Sequence, residues 1–286
     1  MLLETAIVPL FALALAEGTY AQFTSGVNLV EVYATVTDRQ GGSVADLTAA
    51  DFHVSEDGTA QTITAFAAGE FPLAVAVGVD RSFSMGAGRG ARLDLAKSAA
   101  RAFIDALKPA DQVMVIAIGS DTSVVAPLST NHEAAIAAID RLDAWGTTPL
   151  YDAMAGALDA IQPAKGRRAL VVLSDGTDRY SDTTAAALVE QARRRDVIVY
   201  PVAVGARRPA VFAEIATASG GRSFFLADPR ALASTLTAIA TELRSQYLLG
   251  YTPSRVTAAE PSWHSIDVAV NRPGARIRAR DGYYSK

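Results

Sequence analysis

The feature that most limits what this chain can fold into is a series of short, almost entirely apolar runs within residues 71–243, separated by segments with helical periodicity. These runs cover residues 71–79, 113–118, 168–173 and 197–204. A strand that is apolar at nearly every position is typical of a parallel sheet covered on both faces. We therefore predict an α/β central domain at residues 71–243, a doubly wound sheet of six strands with helices on both faces.

The segments on either side of this region are predicted to be β structure. Residues 28–36 alternate between apolar and polar positions, and further strand patterns lie at 247–251 and 265–270. Neither flank holds enough strands for a core of its own. We therefore expect residues 22–70 and 244–286 to pair into one small β domain, the alternative being two separate β appendages.

The charge of the chain is nearly balanced in total but unevenly distributed. The net charge of −4 argues against a nucleic-acid binder, which needs a basic surface. Residues 1–70 carry nine acids and one base, whereas residues 244–286 carry seven bases and three acids. We expect the basic face formed by Arg276, Arg278 and Arg280 to pair with the acidic N-terminal flank.

The N-terminal segment has the pattern of an export signal. Residues 6–16 are eleven apolar residues in a row, too few for a membrane-spanning helix. Small residues precede Gln22, so we predict a signal peptide at residues 1–21 and a mature chain, without a transmembrane span, that is periplasmic or extracellular. The acidic Glu4 and the lack of a nearby base depart from the usual pattern. The alternative is a buried helix or strand of the mature fold.

The residue types present restrict the kind of metal site that the chain can form. It has no cysteine, and its three histidines, His53, His132 and His264, are far apart in sequence. Thiolate sites are therefore excluded, and an imidazole-based zinc site is not favoured. Any metal is expected to be a hard cation held by oxygen atoms.

Oxygen-bearing side chains follow two of the apolar runs. Asp80, Ser82 and Ser84 come directly after the first run, and Asp175 directly follows the predicted buried strand at 170–174. Because the carboxyl ends of parallel strands meet at one edge of a sheet, we expect these side chains to converge. Two converging carboxylates repel each other unless a cation lies between them. Thr148, on a loop before a predicted helix, adds a hydroxyl, and the set suits Mg²⁺ or Mn²⁺.

At this point the chain resembles a known family. Residues 71–243 resemble a von Willebrand factor type A domain, a Rossmann-like fold whose metal-ion-dependent adhesion site has the pattern Asp-x-Ser-x-Ser, then Thr, then Asp. The five positions of this pattern are matched here by Asp80, Ser82, Ser84, Thr148 and Asp175. One departure is Phe83, where the family often has glycine.

The resemblance implies an adhesive function rather than an enzymatic one. The serine and threonine hydroxyls would hold Mg²⁺ or Mn²⁺ directly, with Asp80 and Asp175 acting directly or through water. One coordination position would stay open for an Asp or Glu carboxylate of a partner protein. Asp152, near the same edge, is a candidate to orient a metal-bound water.

The flanks resemble those of a bacterial exported subgroup of this family, in which similar strands bracket the type A domain. The similar segments are residues 32–41, 51–58, 246–251 and 282–284.

Two other functions remain open from the sequence. An Asp after one strand and an Asp-Gly turn after another also resemble a Mg²⁺-dependent phosphatase of the haloacid dehalogenase type. That reaction needs a carboxylic acid two residues after the nucleophile, where this chain has Ser82. The second alternative is a structural envelope protein with a vestigial metal site.

Overall fold

A computed structural model of the chain describes residues 29–69, 71–86, 92–205, 208–253 and 261–285, and the predicted signal peptide lies outside them. The strands are β1 (Val30–Thr37), β2 (Phe52–Glu56), β3 (Thr59–Gln61), β4 (Ile63–Ala68), β5 (Leu73–Asp80), β6 (Gln112–Ile118), β7 (Ser123–Ser129), β8 (Arg167–Ser174), β9 (Ile198–Val204), β10 (Phe224–Leu226), β11 (Tyr247–Tyr251), β12 (Trp263–Val270), β13 (Arg276–Arg278) and β14 (Gly282–Tyr284). The helices are α1 (Phe83–Gly86), α2 (Arg92–Asp105), α3 (His132–Asp140), α4 (Leu150–Ala160), α5 (Ala185–Arg195), α6 (Ala210–Ser219) and α7 (Leu232–Arg244), with short 3-10 helices at Ala49–Asp51 and Pro229–Ala231. Within the described ranges, no helix combines the length and the apolar character that a bilayer crossing requires.

Six strands form the central sheet, in the order β10–β9–β8–β5–β6–β7. All neighbours in it are parallel except β7, which returns antiparallel to β6. Every residue of β5 is buried, because helices cover both faces of the sheet. The predicted doubly wound α/β fold is confirmed.

The arrangement of helices and strands singles out the end of β5. Helices α2, α3 and α7 pack on one face of the sheet, and α4, α5 and α6 pack on the other. The strand order reverses at β5, which lies between β6 on one side and β8 on the other. In sheets of this type, ligands bind beyond the carboxyl ends of the strands at such a reversal. The last residue of β5 is Asp80.

The two flanks form two further four-stranded sheets, β13–β1–β11–β4 and β14–β12–β2–β3. Each sheet contains strands from both ends of the chain, since β1 lies between β11 and β13 and β12 pairs with β2. Apolar side chains of the two sheets share one core, among them Val32, Phe52 and Leu249. The flanking strands therefore form small sheets, as the predicted fold class requires, while the domain boundaries stay a prediction.

Two basic residues of the C-terminal flank, both on the face predicted above, form other ion pairs than we expected. Arg278 pairs with Glu242 at 2.6 Å, and Arg280 pairs with Asp196 at 2.8 Å. Both acids belong to the central domain, Glu242 in the last turn of α7 and Asp196 at the end of α5. These charges therefore join the flanking sheets to the central domain. For Arg278 and Arg280 the expected acidic partner in the N-terminal flank was wrong, because alternation along a strand defines a face but not what that face meets.

Glu56 is a hydrogen-bonding centre between the flanks. Its buried carboxylate accepts hydrogen bonds at its Oε2 atom from the hydroxyls of Tyr251, at 2.7 Å, and Tyr283, at 3.0 Å. Burial, together with the hydrogen bond to Glu56, raises the pKa of both tyrosines well above the ordinary value. Both phenols therefore stay protonated and donate over the whole physiological pH range.

We predict that Glu56→Ala destabilises the protein by about 2 to 4 kcal/mol, because two hydrogen bonds to a charged acceptor are lost and the buried Tyr251 hydroxyl is left unpaired. Glu56→Gln keeps an acceptor oxygen and should cost less. Urea unfolding followed by tryptophan fluorescence measures both changes, with the exposed Glu133→Ala as control. An unchanged midpoint for Glu56→Ala would show that this carboxylate does not hold the flanks together.

Candidate metal-binding site

The site is built around the carboxylate of Asp80, which has no exposed surface. Its Oδ1 atom accepts a hydrogen bond from the backbone N–H of Ser82 at 2.9 Å. Its Oδ2 atom accepts one from the Ser174 hydroxyl at 2.6 Å. Ser174 ends β8, the strand beside β5, so the register of the parallel pair brings the two side chains together.

Burial raises the pKa of the Asp80 carboxyl above its ordinary value, and the negative charge of Asp175 raises it further. The hydrogen bonds from Ser174 and Ser82 act in the opposite direction, since they stabilise the ionised form. Among the described residues, no ion pair includes Asp80 or Asp175. No basic side chain of the described residues therefore lies within ion-pair distance of either carboxylate.

The two serines after β5 present adjacent hydroxyls. The Oγ atoms of Ser82 and Ser84 lie 3.0 Å apart. Ser82 is buried and Ser84 is exposed, so the pair leads from the interior to the surface. The short helix α1 holds this geometry, because its Met85 side chain is fully buried beneath it. Phe83, the departure from the family pattern, points outward with 63% of its surface exposed.

Thr148 lies on a second loop, which hydrogen bonds hold against the first. The N–H of Phe83 donates to the carbonyl of Gly146 at 3.0 Å. Gly146 has a φ of 79°, and a side chain there would collide with Ser120. The hydroxyl of Ser120 accepts from the N–H of Thr147 at 2.9 Å, whereas Thr148 is the buried threonine of the pair.

Asp175 opens a third loop, after β8. Its Oδ1 atom accepts from the N–H of Thr177 at 3.0 Å, which closes a tight turn. Gly176 within this turn has a φ of 75°, and a side chain there would collide with Pro209. Further along the loop, the N–H of Arg179 donates to the carbonyl of Thr148 at 2.7 Å. All three predicted segments thus end at one edge of the sheet and are joined by backbone hydrogen bonds.

Ser174 is the residue of this site that our sequence analysis missed. It is fully buried, donates to Asp80, and accepts from the N–H of Gly176 at 3.0 Å. The available signal was its position, since a hydroxyl at the end of an otherwise apolar strand, directly before Asp175, must find a buried partner.

The carboxylate of Asp152 accepts hydrogen bonds from the backbone of the loop before α5. Its Oδ1 atom accepts from the N–H of Thr183 at 2.8 Å, and its Oδ2 atom from the N–H of Asp182 at 3.0 Å. These hydrogen bonds lower the pKa of the Asp152 carboxyl, and those with Thr183 have the largest effect. Asp152 therefore fixes the loop before α5, and its orienting role toward a metal-bound water stays a prediction.

A second group of possible ligands lies in the flanking sheets. Within the described part of the chain, Glu56, Asp57 and His264 form the one group of three carboxylate or imidazole side chains whose ligand atoms lie within 4.8 Å of one another. Their atoms already have partners. The Nδ1 atom of His264 lies 2.8 Å from the Asp57 carboxylate, and its Nε2 atom lies 3.0 Å from the Ser262 hydroxyl. The Glu56 carboxylate accepts hydrogen bonds from two tyrosine hydroxyls. These contacts explain the group as a structural network.

Comparison with known proteins identifies the central domain. Residues 75–177 match the family model described as the von Willebrand factor type A domain. The chain contains a von Willebrand factor type A domain. None of the curated protein sequences matches this chain.

Solved structures share this fold. An aerotolerance-related membrane protein from Bacteroides fragilis matches with 22% identity and a TM-score of 0.51, over 60% of this chain and 98% of that one. A von Willebrand factor type A protein from Catenulispora acidiphila matches with 16% identity and a TM-score of 0.56, over 89% of this chain and 73% of that one. Proximal thread matrix protein 1 from the mussel byssus, described with a zinc-occupied metal-ion-dependent adhesion motif, matches with 17% identity and a TM-score of 0.55, over 66% of this chain and 49% of that one. At these identities the likeness concerns the fold.

We predict that the stability of the metal-free protein relative to Asp80→Asn falls as the pH rises. The raised pKa means that the folded state binds more protons than the unfolded state above the ordinary carboxyl pKa of about 3.9. The protonated Asp80 carboxyl therefore makes its whole contribution to the free energy of unfolding below that pH. This contribution is lost as the pH rises through the pKa of Asp80 in the folded state. Urea unfolding of both proteins in chelator, at several pH values, measures the difference. A difference that is constant with pH would contradict the raised pKa.

Proposed function

We propose that the type A domain is a metal-dependent protein-binding module. Ser82, Ser84 and Thr148 hold Mg²⁺ or Mn²⁺ directly, and an Asp or Glu carboxylate of a partner protein completes the coordination. The observation that carries this proposal is the convergence of three oxygen-bearing loops at the strand-order reversal, around a buried carboxylate that forms no ion pair with the basic residues the structure describes. The mussel relative with an occupied adhesion motif supports it as well.

The geometry favours Asp80 as a charge that acts through water rather than as a direct ligand. Both of its oxygens already accept hydrogen bonds, from the Ser82 N–H and the Ser174 hydroxyl, and the carboxylate is fully buried. A cation held mainly by neutral hydroxyls keeps more of its charge for an incoming group. A partner's carboxylate then forms a stronger bond to it.

The same contacts argue against the phosphatase alternative. A nucleophilic aspartate must reach the phosphorus atom of its substrate, whereas the Asp80 carboxylate is buried and both its oxygens are hydrogen-bonded. The position two residues later, where a general acid would have to stand, is Ser82. We therefore propose that binding, and not turnover, is the function of this site.

We predict that Mg²⁺ or Mn²⁺ stabilises the folded protein, by about 2.7 kcal/mol at a metal concentration 100 times the dissociation constant. Asp80→Asn and Asp175→Asn should lose this stabilisation, because each removes a negative charge from the site. Thermal unfolding with metal or chelator measures it. Without metal, Asp80→Asn should be at least as stable as the wild type, so a lost response cannot be attributed to misfolding.

The matched control is Asp182→Asn, which alters an exposed acid on the third loop that is not a proposed ligand. It should respond to metal as the wild type does. If neither cation stabilises the wild type, the site is vestigial and the structural alternative is correct. If Zn²⁺ stabilises the protein and Mg²⁺ and Mn²⁺ do not, the metal-dependent module remains and our assignment of the ion is wrong.

We also propose that the chain is exported, on the strength of the apolar segment at residues 6–16 and the small residues before Gln22. Expression of the whole sequence in a bacterium, followed by fractionation and N-terminal sequencing, is expected to give a periplasmic or secreted protein that begins at Gln22. An uncleaved chain in the cytoplasm would contradict this.

A further inference from the structure

Exposed aromatic side chains lie on the segments that form the candidate metal site. Five large apolar side chains are exposed among the described residues: Phe83, Val124, Val125, Trp145 and Tyr180. The three aromatic ones, Phe83, Trp145 and Tyr180, have exposed fractions of 63%, 44% and 80%, and each lies on one of the three loops that form the site. We call these three residues the aromatic rim.

Backbone hydrogen bonds place the aromatic rim around the site. The N–H of Phe83 donates to the carbonyl of Gly146, next to Trp145, and the N–H of Trp145 donates to the carbonyl of Arg81 at 2.6 Å. On the third loop, the residue before Tyr180 donates its N–H to the carbonyl of Thr148. The rings therefore project from backbone that is held directly beside the proposed ligands.

Local backbone structure fixes the positions of two of these residues. Tyr180 has a φ of 68°, a left-handed conformation that is uncommon for residues other than glycine, asparagine and aspartate. Phe83 is held outward by α1, whose Met85 is buried on the opposite side. Exposed apolar surface next to a polar site is typical of an interaction surface.

Arg81 adds a positive charge to the same surface. Its guanidinium group lies 5.5 Å from the centre of the Trp145 ring, and its Nε atom is buried without a hydrogen-bond partner among the described residues. Within those residues it pairs with no carboxylate, in contrast to Arg101, Arg193 and Arg280, which all do. An aromatic ring stacked by an arginine is a frequent centre of binding energy in protein interfaces.

We propose that the aromatic rim and Arg81 select a partner segment in which the metal-binding Asp or Glu is flanked by bulky apolar side chains. The proposal rests on the metal-dependent binding proposed above and adds the class of segment that is bound. The metal takes the carboxylate, and the rim residues, with Arg81 stacked on Trp145, cover its apolar neighbours. The rim thus gives selectivity that coordination of a carboxylate alone cannot give, since every protein surface carries exposed acids.

The test uses displayed peptides of seven residues with Asp fixed at the centre and the other positions random. Selection is done on the whole protein with Mg²⁺ and with chelator. Aromatic and large aliphatic residues beside the Asp should be enriched in the selection with Mg²⁺ but not in the selection with chelator. The triple variant Phe83→Ser, Trp145→Ser, Tyr180→Ser should lose this enrichment and keep the thermal stabilisation by Mg²⁺. Val124→Ser with Val125→Ser, on the edge strand β7, is the matched control and should select as the wild type does.

A selected peptide is then measured by fluorescence anisotropy. Replacing its apolar neighbours by Ser should weaken binding roughly 10-fold or more, as loss of contacts at the centre of an interface does. Trp145→Ser and Arg81→Gln should each weaken binding of the original peptide by a similar factor. In the wild type, binding should shift the tryptophan emission to shorter wavelength as the Trp145 ring becomes covered.

The outcomes separate the two proposals. A Mg²⁺-dependent enrichment that shows no preference at the flanking positions, or one that persists in the triple variant, overturns the role of the rim and leaves the metal-dependent module intact. No enrichment over the chelator sample also overturns the role of the rim. Absence of any thermal response to metal refutes the proposed function itself. Self-association of the wild type in Mg²⁺ that the triple variant abolishes would assign the rim to a second copy of the chain and contradict a foreign segment.

Discussion

The organisation of the site depends on one buried carboxylate. Asp80 ends the central strand of the sheet at the reversal of strand order, and its two oxygens fix the start of α1 through Ser82 and the end of β8 through Ser174. Removing a charged group from water costs free energy unless hydrogen bonds or a counter-charge offset that cost. The hydrogen bonds are present within the protein, and a counter-charge from a side chain is not among the described contacts. The divalent cation that we propose for this site would supply that counter-charge.

The parts of the fold that could be predicted from the sequence are those governed by local pattern. Apolar runs of strand length separated by amphipathic helices specify a covered parallel sheet, so the alternation within residues 71–243 was sufficient for the fold class. The candidate ligands were predictable for a related reason. A parallel sheet brings the carboxyl ends of its strands to one edge. The position of residues such as Asp80 and Asp175 could therefore be predicted before any contact was known.

Contacts that depend on packing between distant segments could not be predicted in the same way. The pairing of Arg278 with Glu242 joins the C-terminal flank to α7, and nothing in either segment specifies the other. Ser174 was missed because a hydroxyl at the end of a strand is common. Its role appears only when β5 and β8 are aligned in register. The exposure of Trp145 and Tyr180 likewise follows from loop conformation, which a pattern of polar and apolar residues does not encode.

The position of β1 has a consequence for how the chain is made. Its two neighbours, β11 and β13, both lie beyond the entire central domain. At ribosomal rates of about 5–20 residues per second, the first strand waits roughly 10–40 seconds for its partners to be synthesised. During that time the central domain can fold, while the edges of β1 remain open to unwanted pairing. β1 thus stays unpaired until the segment beyond the central domain has been synthesised, and its open edges are prone to aggregation until then.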